Sequence, residues 1–121
     1  AKSHLLAALL RANGIPAGLC YQRLLLDEFG THCLHGLNAV HLRGYGWYRA
    51  DARGNKEGVD AQFTPPVERL AYRADKNGEM TLPGIWAEPL PAVIEVLSKY
   101  DNYLDVRKNL PDIDPGMISP S

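Results

Sequence analysis

The sequence predicts an α+β domain in which an antiparallel sheet packs against a buried N-terminal helix. Three observations carry this prediction: a leucine-rich helical stretch opens the chain, two strand-like stretches flank a Gly-Tyr-Gly turn, and a helix that starts at a proline follows later. With 121 residues the chain can bury one hydrophobic core but not two. We therefore expect a single domain.

The N-terminal helix is predicted from Lys2 to Asn13. Its leucines at positions 5, 6, 9 and 10 form an apolar stripe that two alanines widen. Asn13-Gly14 supplies a C-terminal stop, and Pro16 prevents the helix from continuing. A helix this apolar is expected to be buried.

The sheet is predicted from the stretches that follow. Ala17–Leu26 is rich in bulky residues, and the hairpin strands His35–Leu42 and Gly46–Ala52 come next. The turn sequence Asp75–Gly78 precedes an edge strand at Glu79–Leu82. Further expectations are a turn at residues 27–31, a short strand at residues 59–63 and a helical or extended piece at residues 68–72.

Helices are predicted again towards the C-terminus. Pro91 suits the first position of a helix whose apolar side carries Val93, Ile94 and Leu97. A second helical piece is expected around residues 103–106. The sequence after it is rich in proline and aspartate, which is typical of a frayed terminus. We therefore assign residues 1–110 to the domain and residues 111–121 to a flexible tail.

Composition excludes several function classes. The net charge of −1 gives no reason to expect a nucleic acid or an anionic membrane as partner. The leucine run that ends at Leu26 stops at acidic residues, so neither a membrane span nor a signal peptide is visible. Two cysteines do not make a disulfide framework and are more typical of a reducing compartment. We expect a cytoplasmic protein without a cofactor.

The segment from His35 to Asp51 is the strongest candidate site. A three-residue connection at Arg43–Tyr45 would set Asp51 opposite Leu37, diagonal to His35 on the same face of the hairpin. Diagonal neighbours lie roughly 7–8 Å apart at the backbone, within reach of two side chains. A register slip of one residue would send the aspartate to the other face. Spacing therefore permits an imidazole held by a carboxylate, which is the arrangement of a general base, but surface or packing residues remain an alternative.

Other constellations are weaker. His32, Cys33, His35 and His41 do not have the usual spacing of a structural zinc site, so no metal is expected. Cys33 and His35 would share a face of a strand about 6–7 Å apart, which is long for a thiol–imidazole contact. Cys20, in the middle of a predicted strand, is more typical of a small buried hydrophobic residue.

Three motifs resemble the transglutaminase-like superfamily. Leu-Leu-Arg-Ala-Asn-Gly-Ile-Pro-Ala-Gly, residues 9–18, is similar to the helix-to-strand signature of that family. The segment from His35 to Asp51, with Gly46-Trp47 before the aspartate, is similar to its second and third catalytic blocks, and residues 84–90 resemble bacterial members. The resemblance spans roughly residues 1–100. It implies a papain-like core with a Cys-His-Asp triad, in which His35 is the base and Asp51 its orienting partner.

The chain departs from that pattern at the nucleophile. The resemblance puts the cysteine at the N-terminal end of the helix, three residues before the position of Lys2, and neither Cys20 nor Cys33 matches it. We expect a fragment that begins just after the catalytic cysteine and is inactive by itself. The family implies a thiol hydrolase or acyltransferase acting on peptide or amide bonds of a peptide or protein substrate. The alternative is a non-catalytic domain of the same fold that serves as a binding or scaffolding module.

Overall fold

The computed structural model describes residues 2–26, 30–54, 59, 61–76 and 78–113. In these residues the elements follow one another in the order α1 (Lys2–Ala12), β1 (Ala17–Leu25), β2 (His32–Leu42), β3 (Gly46–Ala50), β4 (Met80–Thr81), α2 (Pro91–Lys99) and α3 (Tyr103–Lys108). The strands form one antiparallel sheet in the order β3-β2-β1-β4. The predicted α+β class is confirmed.

Most predicted elements occur within a residue or two of their expected limits, including the edge strand β4 and the helix that begins at Pro91. β2, however, begins three residues before His35, because His32, Cys33 and Leu34 continue the ladder with β1. Of the short strand expected at residues 59–63, residue 59 forms an isolated β-bridge, residues 61–63 have no regular structure, and residue 60 lies outside the described residues. Residues 27–29, within the predicted turn, lie outside the described residues.

The N-terminal helix is less buried than predicted. α1 buries only Ser3 and Ala7, whereas Leu5 and Leu9 are 62% and 54% exposed. The expectation of a buried helix is therefore wrong, and the cause is a close approach to β2. A Cβ on Gly36 would lie 2.7 Å from the Ser3 hydroxyl oxygen, so only small side chains fit between helix and strand. The apolar stripe is consequently turned aside from the contact.

The sheet carries a hydrophobic cluster on each face. On the α1 face, Tyr21 is central to a cluster completed by Ala7, Leu19, Leu82, Leu90 and Val93. On the opposite face, Cys20, Leu37 and Ala39 pack with the partly buried Leu70 and Ile85. Alternate residues of β1 and β2 are thus buried on opposite sides, as expected for a sheet covered on both faces. The second face is the one that carries His35.

Residues at the start of the expected tail contact the sheet. The Leu34 amide donates to the Pro111 carbonyl at 2.8 Å, and Arg23 forms a two-pronged ion pair with Asp112 at 2.8 and 3.0 Å. Residues 111–113 therefore extend the packed part of the chain. Residues 114–121 lie outside the described residues, so the expectation of a flexible tail stays a prediction for them.

None of the described helices could span a bilayer. The longest is α1 with 11 residues, and a spanning helix needs about twenty predominantly apolar residues.

Candidate functional site

The hairpin of β2 and β3 sets the geometry of the site. Leu42 pairs with Gly46 around the three-residue turn, and the ladder runs back to the pair Asn38 and Ala50. One further step along this register places Asp51 opposite Leu37. Because side chains alternate along a strand, Asp51 then shares a face with His35. The predicted register is the one that the structure has.

His35 and Asp51 are joined by a short hydrogen bond. The distance between His35 Nε2 and Asp51 Oδ2 is 2.7 Å, and the aspartate side chain is fully buried while that of the histidine is 16% exposed. The carboxylate also accepts the Arg53 amide at Oδ1 and the Ala71 amide at Oδ2, both at 3.1 Å. Three donors therefore fix the plane of the carboxylate and, through it, the direction of the imidazole ring.

The electrostatics of the carboxylate favour its charged form. Burial alone raises the pKa of Asp51, but the hydrogen bond and charge of His35, with the Ala71 and Arg53 amides, outweigh burial and leave the pKa below its ordinary value. Asp51 is therefore an acceptor at neutral pH, so His35 donates through Nε2. In the neutral ring the other nitrogen, Nδ1, then carries the lone pair and can accept a proton.

A loop segment outside the hairpin completes the surroundings of the imidazole. Tyr72 meets the His35 ring edge-on, with ring centroids 5.1 Å apart at an interplanar angle of 80°. The guanidinium of Arg53 lies over the Tyr72 ring, 5.5 Å from the ring centroid. These contacts limit the rotation of His35 and cover its bond to Asp51.

Sequence reasoning missed the partners from this loop. Nothing in the periodicity of residues 68–72 indicates that Ala71 and Tyr72 reach back twenty residues or more. The Arg53 contact could have been predicted from the sequence. An aspartate whose carboxylate accepts the amide two residues later forms the common Asx-turn, and Gly54, a typical turn residue, follows Arg53.

The cysteines are not placed to act with His35. Cys20 pairs across the sheet with Leu37, and burial, the largest influence, raises the pKa of its thiol to about 11. Burial also raises the pKa of the Cys33 thiol. A thiol of raised pKa is a poor nucleophile at neutral pH because little thiolate is present. Neither cysteine therefore has the environment of an activated nucleophile.

The remaining histidines lie apart from the site. His41 is exposed and meets Trp47 edge-on at a centroid distance of 5.3 Å, whereas His32 lies beside Gly78. Within the described ranges, no group of three or more His, Cys, Asp or Glu side chains is arranged to hold a metal ion. Among the described residues, the pair of His35 and Asp51 is therefore the candidate active site.

Comparison with known protein families finds a match. The first 52 residues match the family model of the Transglutaminase-like superfamily. The transglutaminase-like match includes both His35 and Asp51 and ends one residue after the aspartate. The resemblance is therefore confirmed for this segment, whereas its extension to residues 84–90 stays a prediction. No curated protein and no solved structure matches the chain.

Proposed function

We propose that this domain belongs to a thiol hydrolase or acyltransferase that acts on peptide or amide bonds through a papain-like Cys-His-Asp triad. His35 is the general base and Asp51 orients it. The nucleophile is a cysteine outside residues 1–121, at the position before α1 that the family resemblance indicates. The observation that carries the proposal is the 2.7 Å hydrogen bond from His35 Nε2 to a carboxylate that is fully buried.

The packing of α1 brings the first turn of the helix against the strand that carries the base. Ser3, in the first turn of α1, lies against Gly36, the residue directly after His35. The side chain of Asn38 reinforces the contact by donating to the Ser3 carbonyl at 2.9 Å. Because Gly36 and His35 face opposite sides of the sheet, a residue just before the helix would lie near the backbone of the strand that carries the base, on the side opposite the imidazole. The positive end of the helix dipole favours a thiolate there.

The proposed reaction proceeds in two steps. The cysteine gives its proton to His35 Nδ1, and its sulfur attacks the carbonyl carbon to form a C–S bond while the C–N bond breaks and the amine leaves with the proton from Nδ1. Water or another amine then gives a proton to Nδ1 and attacks the thioester carbonyl carbon, forming a C–O or C–N bond. The C–S bond breaks, and the leaving sulfur takes the proton back from Nδ1, which regenerates the thiol. Asp51 stays ionised throughout and stabilises the imidazolium.

The test begins with the coding sequence upstream of Ala1. A cysteine two residues before Ala1 agrees with the proposal, and any other residue at that position contradicts it. The protein that includes this residue is then treated with iodoacetamide at neutral pH. We expect one fast thiol whose reactivity falls in His35→Ala, with hydrolysis of an activated acyl substrate reduced about 10²–10⁴-fold.

The matched control is His41→Ala. This histidine is on the same strand and lies at the surface, so its replacement should leave both rates unchanged. A fast thiol that is equally reactive in His35→Ala would contradict the pairing. Absence of any fast thiol in a folded protein would favour the binding-module alternative.

A further inference from the structure

We infer that a cavity beside the proposed base binds a carboxylate-bearing part of a peptide, with a peptide N–H group against Gln22 and the carboxylate against Arg73. The cavity has a volume of about 530 Å³, within the size range of small-ligand sites. It lies on the His35 face of the sheet, where Gln22 and Thr81 of neighbouring strands meet the loop residues Tyr72 and Arg73. As a substrate subsite, this inference rests on the proposed function.

Gln22 lines the cavity and carries an unused hydrogen-bond acceptor. Its residue is 1% exposed, and its Nε2 donates to the Tyr72 carbonyl at 3.0 Å. Its Oε1 is buried and has no hydrogen-bond partner in the described part of the chain. An unpartnered buried acceptor is costly, so an N–H donor from a ligand at this position would recover the lost interaction.

The charge of the cavity favours an anion. Arg49 is neutralised by Glu68, with which it forms an ion pair at 3.1 Å. Arg69 and Arg73 also line the cavity, and within the described ranges Arg73 makes neither a hydrogen bond nor an ion pair. Guanidinium groups bind carboxylates through two parallel hydrogen bonds. The buried acceptor of Gln22 and the cation of Arg73 together suit a peptide with a free carboxylate.

Tyr72 connects this cavity to the proposed base. Its side chain or backbone lines the cavity, its ring contacts His35, and its carbonyl is held by Gln22. Gln22 is moreover the direct cross-strand partner of His35. A peptide held in the cavity would therefore lie beside the imidazole, separated from it by a single residue. We expect the enzyme to prefer substrates that carry a carboxylate close to the bond that is cleaved.

The inference is tested by NMR titration of the ¹⁵N-labelled chain. The first probe is N-acetyl-Ala-Ala with a free C-terminus. The other probes are its C-terminal amide, N-acetyl-glutamate α-amide, inorganic phosphate, and the free acid methylated on the nitrogen next to the carboxylate. We expect saturable shifts of the Gln22 side-chain amide and the Tyr72 backbone amide with at least one carboxylate probe. If the terminal acid binds, its C-terminal amide and its N-methylated form should each bind about tenfold more weakly.

Matched variants locate the carboxylate. Arg73→Gln, at an exposed position, should weaken binding of the carboxylate probe about tenfold, whereas Arg43→Gln in the hairpin turn should not change it. Binding of the terminal acid identifies a peptide C-terminus as the source of the carboxylate, and binding of the glutamate probe identifies an acidic side chain. The inference is overturned if neither probe saturates, if phosphate binds equally well, or if Arg73→Gln has no effect.

This experiment needs no nucleophile. Failure of the thiol tests would leave a measured affinity for carboxylate peptides, while failure of the titration would leave the triad proposal untouched.

Discussion

Asp51 leaves β3 one residue after the ladder ends and still reaches His35, which lies diagonally across the hairpin, at 2.7 Å. The backbone amides of Arg53 and Ala71 donate to the same carboxylate, so the group that orients His35 is itself fixed by two hydrogen bonds.

Replacing Asp51 by Asn should destabilise the fold. The amide has one acceptor oxygen where the carboxylate has two, and its NH₂ group would face a donor that now bonds to Asp51. We expect a loss of about 1–3 kcal/mol in the free energy of unfolding, measured by urea denaturation. Asp75→Asn, at an exposed position, is the control and should change stability by less than about 0.5 kcal/mol. An equal effect of both substitutions would contradict the structural role of Asp51.

The contribution of Asp51 should depend on pH in a defined direction. Because its folded-state pKa is lowered, the stabilisation is present above the ordinary aspartate pKa of about 3.9 and is lost as the pH falls through the lower folded value. The difference in unfolding free energy between the wild type and Asp51→Asn should therefore be present at neutral pH and shrink below about pH 4.

Asp112 is a necessary control for this measurement. Burial raises its pKa, but the bonds and charge of Arg23 help to leave the net pKa lowered, so it contributes in the same pH direction. The experiment is repeated in an Asp112→Asn background, where the Asp51 dependence should persist. A difference that grows as the pH falls below about 4 would contradict the assignment.

Cys20 should be protected in the native state. With a pKa of about 11, only about 10⁻⁴ of the thiol is ionised at pH 7, against a few per cent for an unperturbed cysteine. Iodoacetamide labelling followed by mass spectrometry should therefore be at least about 100-fold slower at Cys20 in the native chain than in urea. Native labelling as fast as in urea would show that this thiol is accessible and ionisable.

Gly18 should resist enlargement. A Cβ there would overlap Cγ2 of Ile85 and lie 3.3 Å from the Trp86 carbonyl oxygen. Gly18→Ala should cost about 1–3 kcal/mol of unfolding free energy. In a double-mutant cycle, Ile85→Ala should relieve part of this cost because it removes the overlapping methyl group. Additive losses in the cycle would place the strain elsewhere.

The limits of sequence reasoning follow from particular residues. The hairpin register was predictable because the turn length and the alternation of faces are local, and they suffice to bring Asp51 to the His35 face. The exposure of Leu5 and Leu9 was not predictable, because it depends on how closely Ser3 approaches Gly36 in the folded chain. Ala71 and Tyr72 connect an irregular loop to a strand that is distant in sequence, and no hydrophobic periodicity or residue spacing predicts such contacts. The catalytic roles of His35 and Asp51 stay predictions.

The protonation of His35 tests the central claim most directly. In ¹⁵N-histidine NMR spectra of the neutral ring, we expect the His35 proton on Nε2, with Nδ1 unprotonated. The Nε2 proton should resonate far downfield, and that signal should be lost in Asp51→Ala while the His41 resonances stay in place. A proton on Nδ1, or a His35 spectrum that is unchanged in Asp51→Ala, would contradict the account.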